Sequence, residues 1–137
     1  MRENMGLYRG KKVKPSVFDE TDWVYGSLID SGNHEQVAIY PWYDGASTMS
    51  VRQLVYTRME SVKPETVGQF TGLTDKNGVK IFEGDILEWD AREWGCEFRE
   101  VAEWNYSLLA ARKHDWSEWC QVIGNIHDNP ELLEEVK

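Results

Sequence analysis

Thr66-Val-Gly-Gln-Phe-Thr-Gly-Leu-Thr-Asp-Lys-Asn-Gly-Val-Lys-Ile-Phe-Glu-Gly-Asp-Ile-Leu-Glu-Trp89 is the stretch whose reading decides the fold. It reads as strand, tight turn, strand, second turn, strand. Asn77-Gly78 is the strongest short-range hairpin signal in the chain. A type I′ turn needs positive φ at both central residues, and Asn followed by Gly tolerates that best. Phe70 and Thr71 flank the turn on one side and Val79–Phe82 on the other. Gly84 marks a second bend. Beyond it the side chains alternate, with Leu87 and Trp89 on one face and Glu88 and Asp90 on the other. Residues 66–89 therefore predict a β-hairpin region with two glycine corners.

Working outward, Trp23–Ile29 is rich in β-branched and aromatic residues and predicts a strand. Asp30-Ser-Gly-Asn33 is a turn cluster. Val37–Tyr40 predicts a strand stopped by Pro41. Val51–Tyr56 is too short for periodicity to choose between strand and helix. Val62–Glu65 is expected to be extended, because Pro64 pushes its predecessor out of the helical region. A strand is expected over Phe98–Trp104, although its alternation is poor. Trp119–Ile123 predicts the last strand, ended by Gly124. Residues 129–136 predict a short helix, with Asn129 as N-cap, Pro130 at the first position and Glu131 at the positive end of the dipole. At the other end, residues 1–14 form either a basic N-terminal arm or an edge strand running through Leu7 and Tyr8.

The chain has 137 residues, of which 41% are hydrophobic, enough for one domain with a real core and against wholesale disorder. Seven Trp, six Tyr and four Phe predict an aromatic-filled β core; the same rings could serve as a stacking platform or an oligomer interface. The net charge of −9 is unevenly spread. Residues 1–14 hold five basic side chains and one acid, +4, which leaves −13 on the rest. Acids crowd between Ile81 and Glu103, so the body of the chain would repel a phosphate backbone. Any nucleic-acid contact is expected from the arm, through Arg9, Lys11, Lys12 and Lys14. Two cysteines give no disulfide framework, and no signal-like or membrane-spanning run is present. The expected setting is the reducing bacterial cytoplasm, with no membrane contact.

Three blocks of the sequence resemble the YopX proteins of phages and prophages. The first is Leu7-Tyr-Arg-Gly-Lys, followed by Asp22-Trp-Val-Tyr-Gly-Ser-Leu-Ile29. The second is the central motif from Thr66 to Glu88, with Gly68, Gln69, Thr71, Gly72, Asp75, Asn77, Gly78, Glu83, Gly84 and Asp85. The third is Val122-Ile-Gly-Asn-Ile-His-Asp-Asn-Pro-Glu-Leu-Leu133, with Gly124, Asn125, Asn129 and Pro130. The resemblance implies a single domain over residues 1–137 with a mainly β (β-rich α+β) fold. It would be a small SH3-like or partly open antiparallel barrel with a short C-terminal helix. It also implies an accessory protein of tailed phages or integrated prophages. It carries over no catalytic residues.

The constellations that could hold chemistry read as structure. Asp75-Lys-Asn-Gly78 fails as a calcium loop, since Gly78 at position six puts Leu73 at position one and Gly84 at position twelve. Its Asp75 is expected to bond its own backbone. Cys96, His114, Cys120 and His127 lack the short knuckle of a zinc site. A Cys–His nucleophile would need Cys96 or Cys120 beside His34, His114 or His127, which spacing does not establish. Glu83 and Asp85 sit where a turn is expected anyway. The leading expectation is a non-enzymatic protein without cofactor. It would act through contacts with a host or phage protein, or by forming a homo-oligomer. The alternatives are a nucleic-acid-binding small β-barrel, using aromatics and the basic arm, and an acidic decoy that mimics DNA.

Overall fold

The computed structural model describes residues 6–14, 22–32, 36–41, 50, 58–91, 96–103 and 119–134. Strands dominate: β1 (Tyr8–Lys11), β2 (Trp23–Asp30), β3 (Val37–Pro41), β4 (Glu60–Val62), β5 (Gly68–Thr74), β6 (Lys80–Phe82), β7 (Asp85–Ala91), β8 (Cys96–Val101) and β9 (Cys120–Asn125). A single turn of helix, α1 (Glu131–Glu134), follows. Every strand pairing is antiparallel. The fold is mainly β with a short C-terminal helix. The candidate strand or helix at Val51–Tyr56 lies outside the described residues.

The chain divides into two compact units, residues 2–69 and residues 70–137 together with Met1. In the first unit the strand order is β4-β3-β2-β1, and β1 is flanked on its other side by Gly68 and Gln69 of β5. Residues 8–11, expected to be an arm or an edge strand, are thus an interior strand instead. Alternation assigns the faces. Val24, Val37, Ile39 and Val62 form a buried cluster with Tyr8, Leu28 and Val67 against it. The sheet curls until Lys12 bridges Val62, with Val13 N–H donating to the Ser61 carbonyl at 3.0 Å and Lys63 N–H to the Lys11 carbonyl at 2.8 Å. Among the described residues no barrel closes, so the barrel expectation reduces to this curl.

Lys63 is extended, as a residue before proline should be, but Pro64–Thr66 then winds into one 3₁₀ turn rather than staying extended. The Thr66 hydroxyl drives this. It donates to the Lys63 carbonyl at 2.6 Å and accepts the Lys11 N–H at 2.8 Å, tying the turn to β1.

In the second unit β5 pairs with β6, and β8-β7-β9 form a three-stranded sheet. Ile81, Leu87, Trp89, Ala102 and Cys120 make its core, with Leu73 and Val122 packed against them. Leu87 and Trp89 do share a buried face. Ile86, on the opposite face, is fully buried as well, so the strand is not half-solvated. The strand expected at Phe98–Trp104 runs instead from Cys96 to Val101. Its poor alternation has a physical cause in Glu100, which lies opposite Leu87 on the core face.

Two glycines are fixed by close approach. A methyl on Gly26 would overlap the Tyr40 carbonyl, because β3 crosses directly over it. A methyl on Gly124 would sit 2.6 Å from the Asn129 side-chain oxygen, which is why Gly124 lies inside β9 instead of ending it. Substituting Gly26→Ala is expected to lower stability by about 1–3 kcal/mol, the range for overpacking against a fixed backbone. Gly6→Ala, which meets nothing, should stay within about 0.5 kcal/mol of the parent. Urea unfolding of the two variants checks the contrast.

Candidate functional site

The polar residues of the central motif converge on the hairpin that it encodes. Gly78 N–H donates to the Asp75 carbonyl at 3.0 Å and Asp75 N–H to the Val79 carbonyl at 2.8 Å. This is a three-residue loop, Lys76-Asn77-Gly78, and not the expected two-residue type I′ turn. Asn77 occupies the second central position of the turn, and Gly78, at φ 82°, follows it in the left-handed region. Loops of this kind close with a glycine bulge after the turn. The reason for the longer loop is Asp75. Its buried carboxylate accepts Asn77 N–H at 2.8 Å and Val79 N–H at 2.9 Å through Oδ1, and Val122 N–H of β9 at 2.9 Å through Oδ2. Lys76 N–H donates to the Cys120 carbonyl at 3.0 Å alongside. The side chain that a calcium loop would aim at an ion is therefore aimed at three backbone amides.

The rest of the signature behaves in the same way. Between the Phe70–Phe82 and Thr74–Lys80 pairs the register slips, with Gly72 at φ 88°. There the Thr71 hydroxyl donates to the Ile81 carbonyl at 2.8 Å and accepts Leu73 N–H at 3.2 Å. Gly84, at φ 91°, turns the corner after Glu83. Asp85 Oδ2 closes that corner by accepting Phe82 N–H at 2.8 Å. Gly68 and Gln69 pair with Arg9 and Tyr8. In the third block Asn125 Oδ1 accepts the N–H groups of His127 and Asp128 at 3.0 and 2.9 Å. Asn129, the expected N-cap, turns its side-chain oxygen back to Asn125 N–H at 3.3 Å, while the Pro130 carbonyl accepts Leu133 N–H at 3.2 Å. Helix α1 is held by Arg99 of β8, which donates to the Leu132 carbonyl at 2.9 Å.

Two places carry chemistry beyond scaffold. The first is a polar cluster that the sequence reading missed. Trp89 Nε1–H donates to Glu100 Oε1 at 2.8 Å, and Cys120 lies opposite Trp89 in the sheet. Burial raises the Glu100 carboxyl above its usual range, and the indole hydrogen bond offsets part of that. Burial, with the negative charges of Asp75 and Glu100, pushes the Cys120 thiol up to about 12. A thiol so placed stays protonated at neutral pH and is a core residue, the reverse of an activated nucleophile. Among the described residues no group of three or more His, Cys, Asp or Glu is arranged to hold a metal ion. His34 and His114 lie outside those residues.

The second place is the outer face of β1 and β2. Arg9 faces Tyr25 and Lys11 faces Trp23 across the ladder. The Arg9 guanidinium stands 4.7 Å from the Trp23 ring centroid and the Lys11 ammonium 5.9 Å, so one indole carries two cations. Tyr25 and Ile29, further along the same face, are 44% and 38% exposed. Of the four expected nucleic-acid contacts, Arg9 and Lys12 are buried, Lys11 is half-buried and Lys14 is exposed. They do not form one basic strip. The acids between Ile81 and Glu103 are dispersed too: Asp85 is buried, Glu100 points inward, and Glu88 pairs with Arg99 at 3.0 Å.

Asp75→Ala removes one acceptor from three amides at once and is expected to cost about 3 kcal/mol or more; Asp75→Asn, which keeps one oxygen, should cost less. Urea unfolding ranks the two. For Glu100 the folded state holds its proton more tightly than the unfolded chain. Its favourable contribution is therefore complete below the ordinary carboxyl range and is lost as pH rises through the raised folded value. Unfolding between about pH 4 and pH 8 should show that decline in the parent and a flatter profile in Glu100→Gln.

No curated protein and no solved structure matches the chain. A family model described as YopX protein does match, over residues 17–134, and it contains both the central motif and the Gly124–Pro130 block whose hydrogen bonds build these corners. The chain belongs to the YopX protein family.

Proposed function

We propose that this YopX protein is a non-enzymatic accessory protein of a phage or prophage, working in the bacterial cytoplasm through protein–protein contacts. The observation that carries the reading is where the motif side chains point. Thr71, Asp75, Asp85, Asn125 and Asn129 each direct their oxygens at nearby backbone groups of their own unit. A motif that builds corners leaves function to the surfaces those corners present. Supporting it, large apolar side chains stand exposed in both units, among them Tyr25, Ile29 and Met59 in the first and Val79 and Trp119 in the second. Exposed Tyr, Trp and Met are the residue types enriched in protein interfaces. Among the described residues no helix is long and apolar enough to cross a membrane.

The test uses the full chain as bait in lysate of a lysogenic host, followed by reconstitution with each captured protein in purified form, and light scattering on the chain alone. A reconstituted complex or a defined self-assembly is the expected outcome. A strict monomer that reconstitutes with no protein would end this reading.

A further inference from the structure

The outer face of β1 and β2 fits a particular partner. Its residues are those whose positions the register fixes: Arg9 and Lys11 on β1, Trp23, Tyr25 and Ile29 on β2, and Tyr40 on β3 opposite Ser27. The opposite face of these strands is the buried cluster around Ile39 and Val62, so this face is turned away from the core. At its centre Trp23 is fixed by two cations, and an aromatic ring held in this way enters an interface with little freedom left to lose. Tyr25, directly beside Arg9, is the most exposed ring on the strand. Aromatic side chains with arginine make the usual centre of a protein interface.

Charge says which protein. Residues 2–69 carry eight Lys and Arg against nine Asp and Glu, close to balance, whereas residues 70–137 carry seven against fifteen. The chain therefore bears an aromatic face backed by cations on one unit and a strongly acidic surface on the other. Glu103, Asp128 and Glu131 are exposed in that second unit. Two copies are complementary to one another in a way that two copies of a uniformly acidic protein are not, and complementary fields speed such encounters.

We infer that the Lys11–Trp23–Tyr25–Ile29 face is a self-association surface, occupied by the acidic unit (residues 70–137) of a second copy of this chain. The inference rests on the protein-contact reading above and narrows it to a partner and a face. A nucleic acid, which would use the same rings for stacking and the same cations for phosphate, is the competing occupant.

Light scattering after size exclusion, run across concentration at about 50 mM and about 500 mM salt, reads the result directly. The expected species at low salt has at least twice the chain mass of 16.0 kDa and dissociates towards it at high salt. Tyr25→Ala and Lys11→Glu should each weaken association by about tenfold or more, as truncating an interface anchor does. Both positions lie off the core, so circular dichroism should show them folded; Ile29→Ser is a third variant for the same readout. A labelled oligonucleotide added to the same samples separates the occupants. An oligomer that ignores all three substitutions overturns the inference, and so does a monomer that binds the oligonucleotide. A monomer that nonetheless reconstitutes with a host protein overturns the self-association while leaving the protein-contact reading intact. A monomer that does neither removes both.

Discussion

Three backbone amides on one buried carboxylate hold the second unit together. Asp75 accepts from Asn77 and Val79 within its own turn and from Val122 on β9, so one side chain both shapes the hairpin tip and fastens it to the far strand of the neighbouring sheet. A charged acceptor buried this deeply is tolerable only when its lone pairs are filled, and here both oxygens are used. Around it the remaining elements have little freedom. Lys76 reaches the Cys120 carbonyl, Cys120 packs on Trp89, and Trp89 ties down Glu100. The same carboxylate also contributes to the unreactive state of the thiol, because its negative charge opposes formation of a thiolate next to it.

The YopX motif is thus an instruction for corners. Glycines at 72, 78 and 84 take the positive φ values, and a polar side chain beside each corner occupies the backbone groups that it leaves open: Thr71 at the first, Asp75 at the second, Asp85 at the third. The Asn125–Asn129 loop repeats the device with amides. Residues of these types invite a catalytic or metal-binding reading when met in a sequence. Their geometry gives a simpler account, in which short polar side chains compensate bends that no ladder can satisfy.

Much of this was legible in the residues themselves. Alternation placed Leu87 and Trp89 on one buried face, and β-branched and aromatic content located β2, because both signals are local. Non-local facts were harder. Nothing in the sequence of Tyr8–Lys11 distinguishes an edge strand from an interior one; that depends on Gly68 and Gln69, some sixty residues on, arriving alongside. The three-residue loop could not be told from a two-residue turn, because Asn-Gly suits both and the choice falls to Asp75 two residues earlier. Glu100 was read as one more solvated acid. Only its register opposite Leu87 turns it inward, and the broken alternation of its strand was the one available sign. Of the basic residues near the N-terminus, the sequence supplied the charges but not the indole of Trp23 on which two of them rest.

The hairpin tip has one more consequence, for chemical ageing. Asn-Gly is the dipeptide most prone to deamidation, since a glycine nitrogen easily attacks the asparagine side-chain carbonyl to form a succinimide. Here the Gly78 nitrogen is committed to the Asp75 carbonyl and the Asn77 nitrogen to the Asp75 carboxylate, which fixes the backbone that the attack would have to rotate. The fold guards its own most labile peptide link, and the damage clock runs freely only in chains that have opened.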